Sequence, residues 1–143
     1  MNLDGAYDDG NVFARILRDE IPSTRIWEDE RALAFMDAFP QAPGHSLIIP
    51  KAPVRNILDA PPAMLAHLIE VTQRVARASV AALECAGVRV VQFNGAAAGQ
   101  TVPHLHFHVI PMGPGQALAR HGGNAADPAE LREIAARITL NLR

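Results

Sequence analysis

The sequence predicts an α+β fold: a five-stranded antiparallel sheet with one long helix and shorter N- and C-terminal helices. Three observations predict it. Short apolar segments succeed one another through brief polar turns, the arrangement of antiparallel neighbours. One long stripe of apolar residues recurs at helical spacing. The 143 residues, 49% hydrophobic and 20% charged, suit one domain with one core. Residues 1–10 read as a flexible leader. Residues 11–143 read as the single domain, its core over 11–112 and a C-terminal loop and helix over 113–143.

Asn11 is placed to cap a short first helix in "NVFARILRDE", with Phe13, Ile16 and Leu17 on one face. "IPS" at 21–23 ends it. "TRIWEDERALAFMD" reads as two strands about a tight polar turn at Glu28–Glu30. "FPQAPGH" is a connection rich in proline and glycine, and "SLIIP" a short apolar strand closed by Pro50. The long helix starts near Pro61–Pro62, since proline is tolerated in a first turn. Met64, Leu68, Val71, Val75, Ala78 and Ala82, at steps of 4, 3, 4, 3 and 4, form its stripe. Glu70 and Arg74 are spaced to pair off that stripe, and Gly87 is placed to close the helix as its C′ residue. "VRVVQFN" reads as a strand, "GAAAGQTV" as a small-residue loop, and "VPHLHFHVIPM" as the last strand. "GPGQALARHGGNAAD" has no periodicity. "PAELREIAARITL" is a final amphipathic helix, capped by Asp127, with Leu131, Ile134, Ala135 and Ile138 on one side.

Composition narrows the function. A net charge of −2 provides no basic field for nucleic acid. The single cysteine, Cys85, excludes an internal disulfide and any multi-cysteine zinc site. "MNLDGAYDDGN" is acidic and polar, unlike a signal peptide, and no apolar run reaches membrane-spanning length. A cytoplasmic location is the expectation.

The chemistry concentrates in "VPHLHFHVIPM". His104, His106 and His108 alternate with Leu105, Phe107 and Val109. Side chains alternate across a strand, so the three imidazoles share one face at about 6.6 Å per two-residue step, and the apolar set faces a core. Three readings fit that spacing. The histidines line a solvated sheet face; or they hold a metal ion, which imidazole suits; or they do nucleophilic and acid–base work, one ring attacking while its neighbours orient it and move protons.

Those residues resemble the signature of the histidine triad superfamily of nucleotide hydrolases and transferases, His-φ-His-φ-His-φ-φ with φ apolar. "APGHSLIIPK", "FMD" before "QAPGH", and "NGAAAGQTVPHLHFHVIP" resemble further blocks of the family, in its order, across roughly residues 11–112. The nearest resemblance is to its bacterial purine-nucleoside phosphoramidate and dinucleoside polyphosphate hydrolases.

The resemblance implies that His106 attacks the α-phosphorus of a purine nucleotide and forms a nucleotidyl-histidine intermediate, which water hydrolyses to a nucleoside monophosphate. It implies that His104 relays a proton from the His106 ring, that His45 completes this relay, and that His108 contacts phosphoryl oxygens. Asn94, Gly99, Gln100 and Thr101 hold phosphate and leaving group. Asp37 bonds the ribose. Val12, Phe13, Ile16, Phe35, Ala38 and Leu47 line a slot for the base. The family commonly forms two-fold dimers, so the implied partners are a purine nucleotide and a second copy, the apolar stripe of the long helix forming part of the contact.

Asn11 and Ala14 stand where many bacterial relatives carry Cys-x-x-Cys, and "KAPVRN" lacks a further family histidine, so no metal and no other cofactor is expected. His108, where transferases of the superfamily carry glutamine, implies hydrolysis. His121, in "ARHGG", reads as a residue of a mobile loop that could reach a substrate. The alternatives are a non-catalytic nucleotide- or partner-binding protein of the same fold, and a metal-binding strand protein.

Overall fold

The computed structural model describes residues 3–142. Its elements, in chain order, are α1 (Val12–Leu17), β1 (Arg25–Glu28), β2 (Ala32–Met36), β3 (Ser46–Pro50), α2 (Pro62–Leu83), β4 (Gly87–Val91), β5 (Phe107–Met112) and α3 (Pro128–Leu140), with a 3-10 turn at Ala96–Ala98. The strands form one antiparallel sheet in the order β1-β2-β3-β5-β4, the expected α+β architecture. No helix of the described residues is long and apolar enough to cross a membrane.

Strand alternation divides the core into two layers. Ala32, Ala34, Met36, Ile48, Phe107 and Val109 face α2 and α3, which bury Leu68, Val71, Val75, Leu131, Ile134 and Ile138 against them. Leu33, Phe35, Leu47 and Ile49 face the other way, where Phe13 and Ile16 of α1 cover them. The middle of the α2 stripe, Leu68 to Ala78, is therefore taken up inside the protomer, with Met64 and Ala82 half-buried at its ends. Caps follow the sequence: Asn11 Oδ1 accepts the Ala14 N–H, and Asp127 Oδ1 accepts the Ala129 N–H.

Three local expectations change. Glu84, at φ 52°, closes α2 in the left-handed conformation, and Gly87 instead opens β4 opposite Met112. Arg74 lies over the Trp27 ring at 5.4 Å rather than pairing with Glu70, since a cation over an indole face is attracted to its π-cloud. The leader is tied down from residue 3. Asn56 Nδ2 donates to Leu3 O, Arg55 Nη1 to Asp4 O, and Arg18 Nη1 to Asp9 O. Residues 1–2 lie outside the described residues.

Candidate active site

The strand expected over 102–112 begins only at Phe107. Pro103 has no N–H, and the neighbouring amides point elsewhere: His104 N to Val102 O at 2.9 Å and Leu105 N to Val54 O at 2.8 Å. No sheet ladder forms there. The alternation survives all the same. Leu105, Phe107 and Val109 enter the main core, and His104, His106 and His108 gather on the α1 side. The rings of His106 and His108 are 5.0 Å apart, and Phe13 stands edge-on to His106 at 4.9 Å.

Hydrogen bonds fix which nitrogen of each ring carries the proton. His104 Nε2 lies 2.8 Å from Pro50 O, which can only accept, so Nε2 holds the hydrogen. His104 Nδ1 is then an acceptor, and the Tyr7 hydroxyl donates to it at 2.6 Å. Asn11 Nδ2 donates to the same hydroxyl at 2.9 Å. His106 Nδ1 donates to the main-chain oxygen of His104 at 2.7 Å, leaving the Nε2 lone pair free. The link between these two triad residues is thus through backbone.

A second chain runs behind His108. The Gln41 N–H donates to His45 Nδ1 at 3.0 Å. His45 Nε2 therefore carries the hydrogen and donates to His108 Nδ1 at 2.9 Å, with Asp37 Oδ2 at 3.4 Å. The proton of neutral His108 sits on Nε2, which is buried and has no acceptor among the described residues. His45 serves His108 and does not complete a relay from His106 through His104, as the sequence reading had it. Gly44, at φ +88°, sets the entry to His45; a Cβ there would strike Leu83 and lie 3.2 Å from Pro111.

Burial sets the charge state. It lowers His45 and His104 to about 4 and His108 to about 3. It lowers His106 too, against the pull of the His104 carbonyl. The four rings are neutral near pH 7, in agreement with the tautomers their partners impose. Burial raises the Asp37 carboxyl, whose Oδ1 accepts the Phe39 N–H at 2.8 Å.

The small-residue loop is braced by its own amides. Gln100, 3% exposed, takes the Gly95 N–H on Oε1 and donates from Nε2 to Arg55 O and Val102 O. Asn94 exchanges hydrogen bonds with Gln92 and accepts the Ile57 N–H. These side chains hold the loop together, and the Gly99 and Gln100 N–H groups bond to Ala96 O and Gly95 O. Of the positions the resemblance assigns to phosphate and leaving group, Asn94, Gly99 and Gln100 thus have these groups engaged within the protein, while Thr101 stays exposed at the loop end. Of the six slot residues, Phe13, Ile16, Phe35 and Leu47 are 3–6% exposed and packed together. Val12 and Ala38 are at the surface. A cavity of about 450 Å³ lies away from the histidines, between β1 and α3.

Two residues at this site carried no local signal. Tyr7 is the only tyrosine, inside an acidic leader, and reaches a partner 97 positions away. Gln41 acts through its main-chain N–H, which no side-chain pattern reveals.

The HIT domain matches residues 18–114. The chain belongs to the HIT family. This HIT protein is similar to a HIT-like protein from Bartonella henselae, at 46% identity and TM-score 0.92, over 96% of this chain and 100% of that one. A zinc-bound histidine triad family protein from Mycobacterium smegmatis has 34% identity and TM-score 0.82, over 92% of each chain. The Arabidopsis thaliana adenylylsulfatase HINT3 is 37% identical over 70% of this chain and 51% of its own length. Membership supports a nucleotide ligand and hydrolase-type activity as a class.

The residues present do not fit a structural zinc beside His104. Asn11 gives both ends of its amide to protein partners, Ala14 has no donor atom, and Tyr7 occupies His104 Nδ1. Asp37, His45 and His108 bring candidate ligand atoms within 4.8 Å of one another. Yet His45 Nε2 and His108 Nδ1 stand 2.9 Å apart with a proton between them, closer than two nitrogens of a tetrahedral zinc, roughly 3.3 Å. The pair is a hydrogen bond.

Proposed function

We propose that this HIT protein is a nucleotide hydrolase that cleaves the α-phosphorus bond of purine nucleoside phosphoramidates or dinucleoside polyphosphates through a nucleotidyl-His106 intermediate. One observation carries the reading: the ring of His106, with its Nε2 lone pair free, stands 5.0 Å from the ring of His108, whose Nε2–H is buried and unpaired. A neutral imidazole lone pair attacks phosphorus, and a fixed N–H beside it stabilises charge growing on a phosphoryl oxygen.

In the first half, His106 Nε2 bonds to phosphorus and the leaving group departs with its electron pair. The imidazolium that forms keeps its Nδ1–H on the His104 carbonyl, which stabilises the new positive charge. Water then attacks phosphorus, the P–N bond breaks, and the pair returns to Nε2. Asp37 bonds the ribose hydroxyls. The base lies against the surface of Val12, Ala38 and the buried Phe13, Ile16, Phe35 and Leu47. The loop from Gly99 to Thr101, braced by Asn94 and Gln100, borders the phosphate. The name of the Arabidopsis relative supports an adenylyl group as the nucleotide.

A two-fold dimer that continues the sheet belongs to the same reading. Its support is β4, an edge strand with Val88 38% and Val90 45% exposed.

Hydrolysis of adenosine 5′-phosphoramidate by wild type and by His106→Asn tests the proposal. Wild type should turn over and yield an acid-quenched adenylylated protein. The variant should lose turnover and adduct while keeping AMP binding. Equal rates for the two proteins would sink the reading.

A further inference from the structure

The chain after β5 returns to the histidines. Segment 113–127 forms no helix or strand, yet it docks at two points on the stretch that holds His45. Ala119 N donates to Gln41 O at 2.8 Å, and Gln41 Nε2 donates back to Ala119 O at 3.1 Å. Ala126 N donates to Ala38 O at 3.0 Å. Between these anchors, Arg120–Gly123 makes a tight turn closed by Gly123 N to Arg120 O at 3.1 Å, with Gly122 at φ +67° in the position that needs a left-handed residue. His121 is at the tip. Its ring stands edge-on to His108, with centroids 5.5 Å apart and planes at 74°.

His108 is ringed by three imidazoles: His106, the nucleophile of the proposed reaction, at 5.0 Å, His45 at 5.1 Å and His121 at 5.5 Å. A phosphoryl group bonded by His108 Nε2–H and attacked from His106 turns its leaving group away from His106. His121 also differs from His45, His104, His106 and His108 in being exposed, whereas they are at most 4% exposed. Burial keeps those four neutral near pH 7, so none of them is a ready cationic acid. His121 is close enough for a positive charge on it to act on Asp37, His45, His106 and His108.

We propose that His121 is the general acid on the leaving-group side of this site, a role that rests on the hydrolase reading. As His106 Nε2 bonds to phosphorus, the P–N or P–O bond to the leaving group breaks and its electron pair takes the proton of the His121 imidazolium. His121 is left neutral. In the second half it accepts a proton from the attacking water, and the P–N bond to His106 breaks. The cycle consumes one water and restores both rings.

Two substrates separate the outcomes. Ammonia leaves adenosine 5′-phosphoramidate only with a proton, whereas 4-nitrophenolate leaves adenosine 5′-(4-nitrophenyl) phosphate without one. His121→Gln should lose about 100-fold or more in kcat on the phosphoramidate, the usual contribution of a general acid. The loss on the aryl ester should be at least tenfold smaller. Added imidazole should restore part of the phosphoramidate rate to His121→Ala, which a packing role would not allow. Equal losses on both substrates, or no loss on the phosphoramidate, would overturn the acid role. Failure of the hydrolase reading looks different: wild type and His106→Asn would then match on both substrates, and both proposals would fall together.

Discussion

The main-chain oxygen of His104 lies 2.7 Å from Nδ1 of His106, and this contact decides which nitrogen of His106 is left to react. The ring of His104 takes no part in it. That ring is held between the Tyr7 hydroxyl and Pro50 O, fully buried. The first and second triad histidines are therefore held differently: the His104 ring is bonded at both nitrogens, whereas the His106 ring is bonded at Nδ1.

Replacement of His104 by Asn should act on stability more than on chemistry. The carbonyl remains, so His106 keeps its tautomer. The buried bonds to Tyr7 and Pro50 weaken, at a cost of about 2 kcal/mol. The expected result is a lower Tm with kcat reduced less than about tenfold. A loss of kcat as deep as that of His106→Asn, at a temperature where the variant is folded, would contradict this division.

Tyr7 makes the leader part of the site. Tyr7→Phe removes the only donor to His104 Nδ1 among the described residues and leaves that buried nitrogen unpaired. Asn11 keeps Asp8 O as a second acceptor, so the cap of α1 stands. A fall in stability of about 1–2 kcal/mol is expected, read as the midpoint of urea unfolding. An unchanged midpoint would mean that the leader does not brace the triad.

Much of this was legible in the residues because it is local. Asn11 and Asp127 cap the helices they precede, and the 2-residue period of "HLHFHV" put apolar and imidazole side chains on opposite faces even where no strand forms. The unread features depend on distant or main-chain partners. Tyr7 meets His104 across 97 positions, and Gln100 braces residue 55 across 45. His45 was grouped with His104, but the fold sets its ring against His108, 63 positions on. The turn that aims His121 has a glycine signature, but its aim comes from anchors on Ala38 and Gln41.

The end of α2 offers a stabilising change. Glu84 holds φ 52° there, a conformation that crowds any Cβ and that glycine adopts freely. Glu84 is exposed. Glu84→Gly should therefore raise stability by about 0.5–1 kcal/mol, seen as a higher Tm with kcat unchanged. A lower Tm would show that the left-handed residue is not strained.

The buried neutral histidines make stability fall with acid. His45 and His104 titrate at about 4 and His108 at about 3 in the folded chain, against 6.5 when unfolded, chiefly because burial disfavours their charged forms. Below pH 6.5 the unfolded chain gains protons that the native protein refuses, so their contribution is whole above that pH and is lost as pH falls towards 4 and then 3. Asp37 opposes this. Burial raises its carboxyl, so the native state takes that proton more readily than the unfolded chain and recovers part of the loss. Asp29 joins the decline only from 3.8 down to about 2: burial pulls its carboxyl up, but the N–H groups of Arg31 and Ala32, with Trp27 and His67, outweigh it. Tm should thus be level above pH 7 and drop steadily from pH 6.5 to 4. His108→Asn should make that slope shallower, because one depressed titration is removed. A Tm that holds level or rises from pH 6.5 to 4 would mean that these rings are charged in the native protein, and the lone pair assigned to His106 would lose its neutral surroundings.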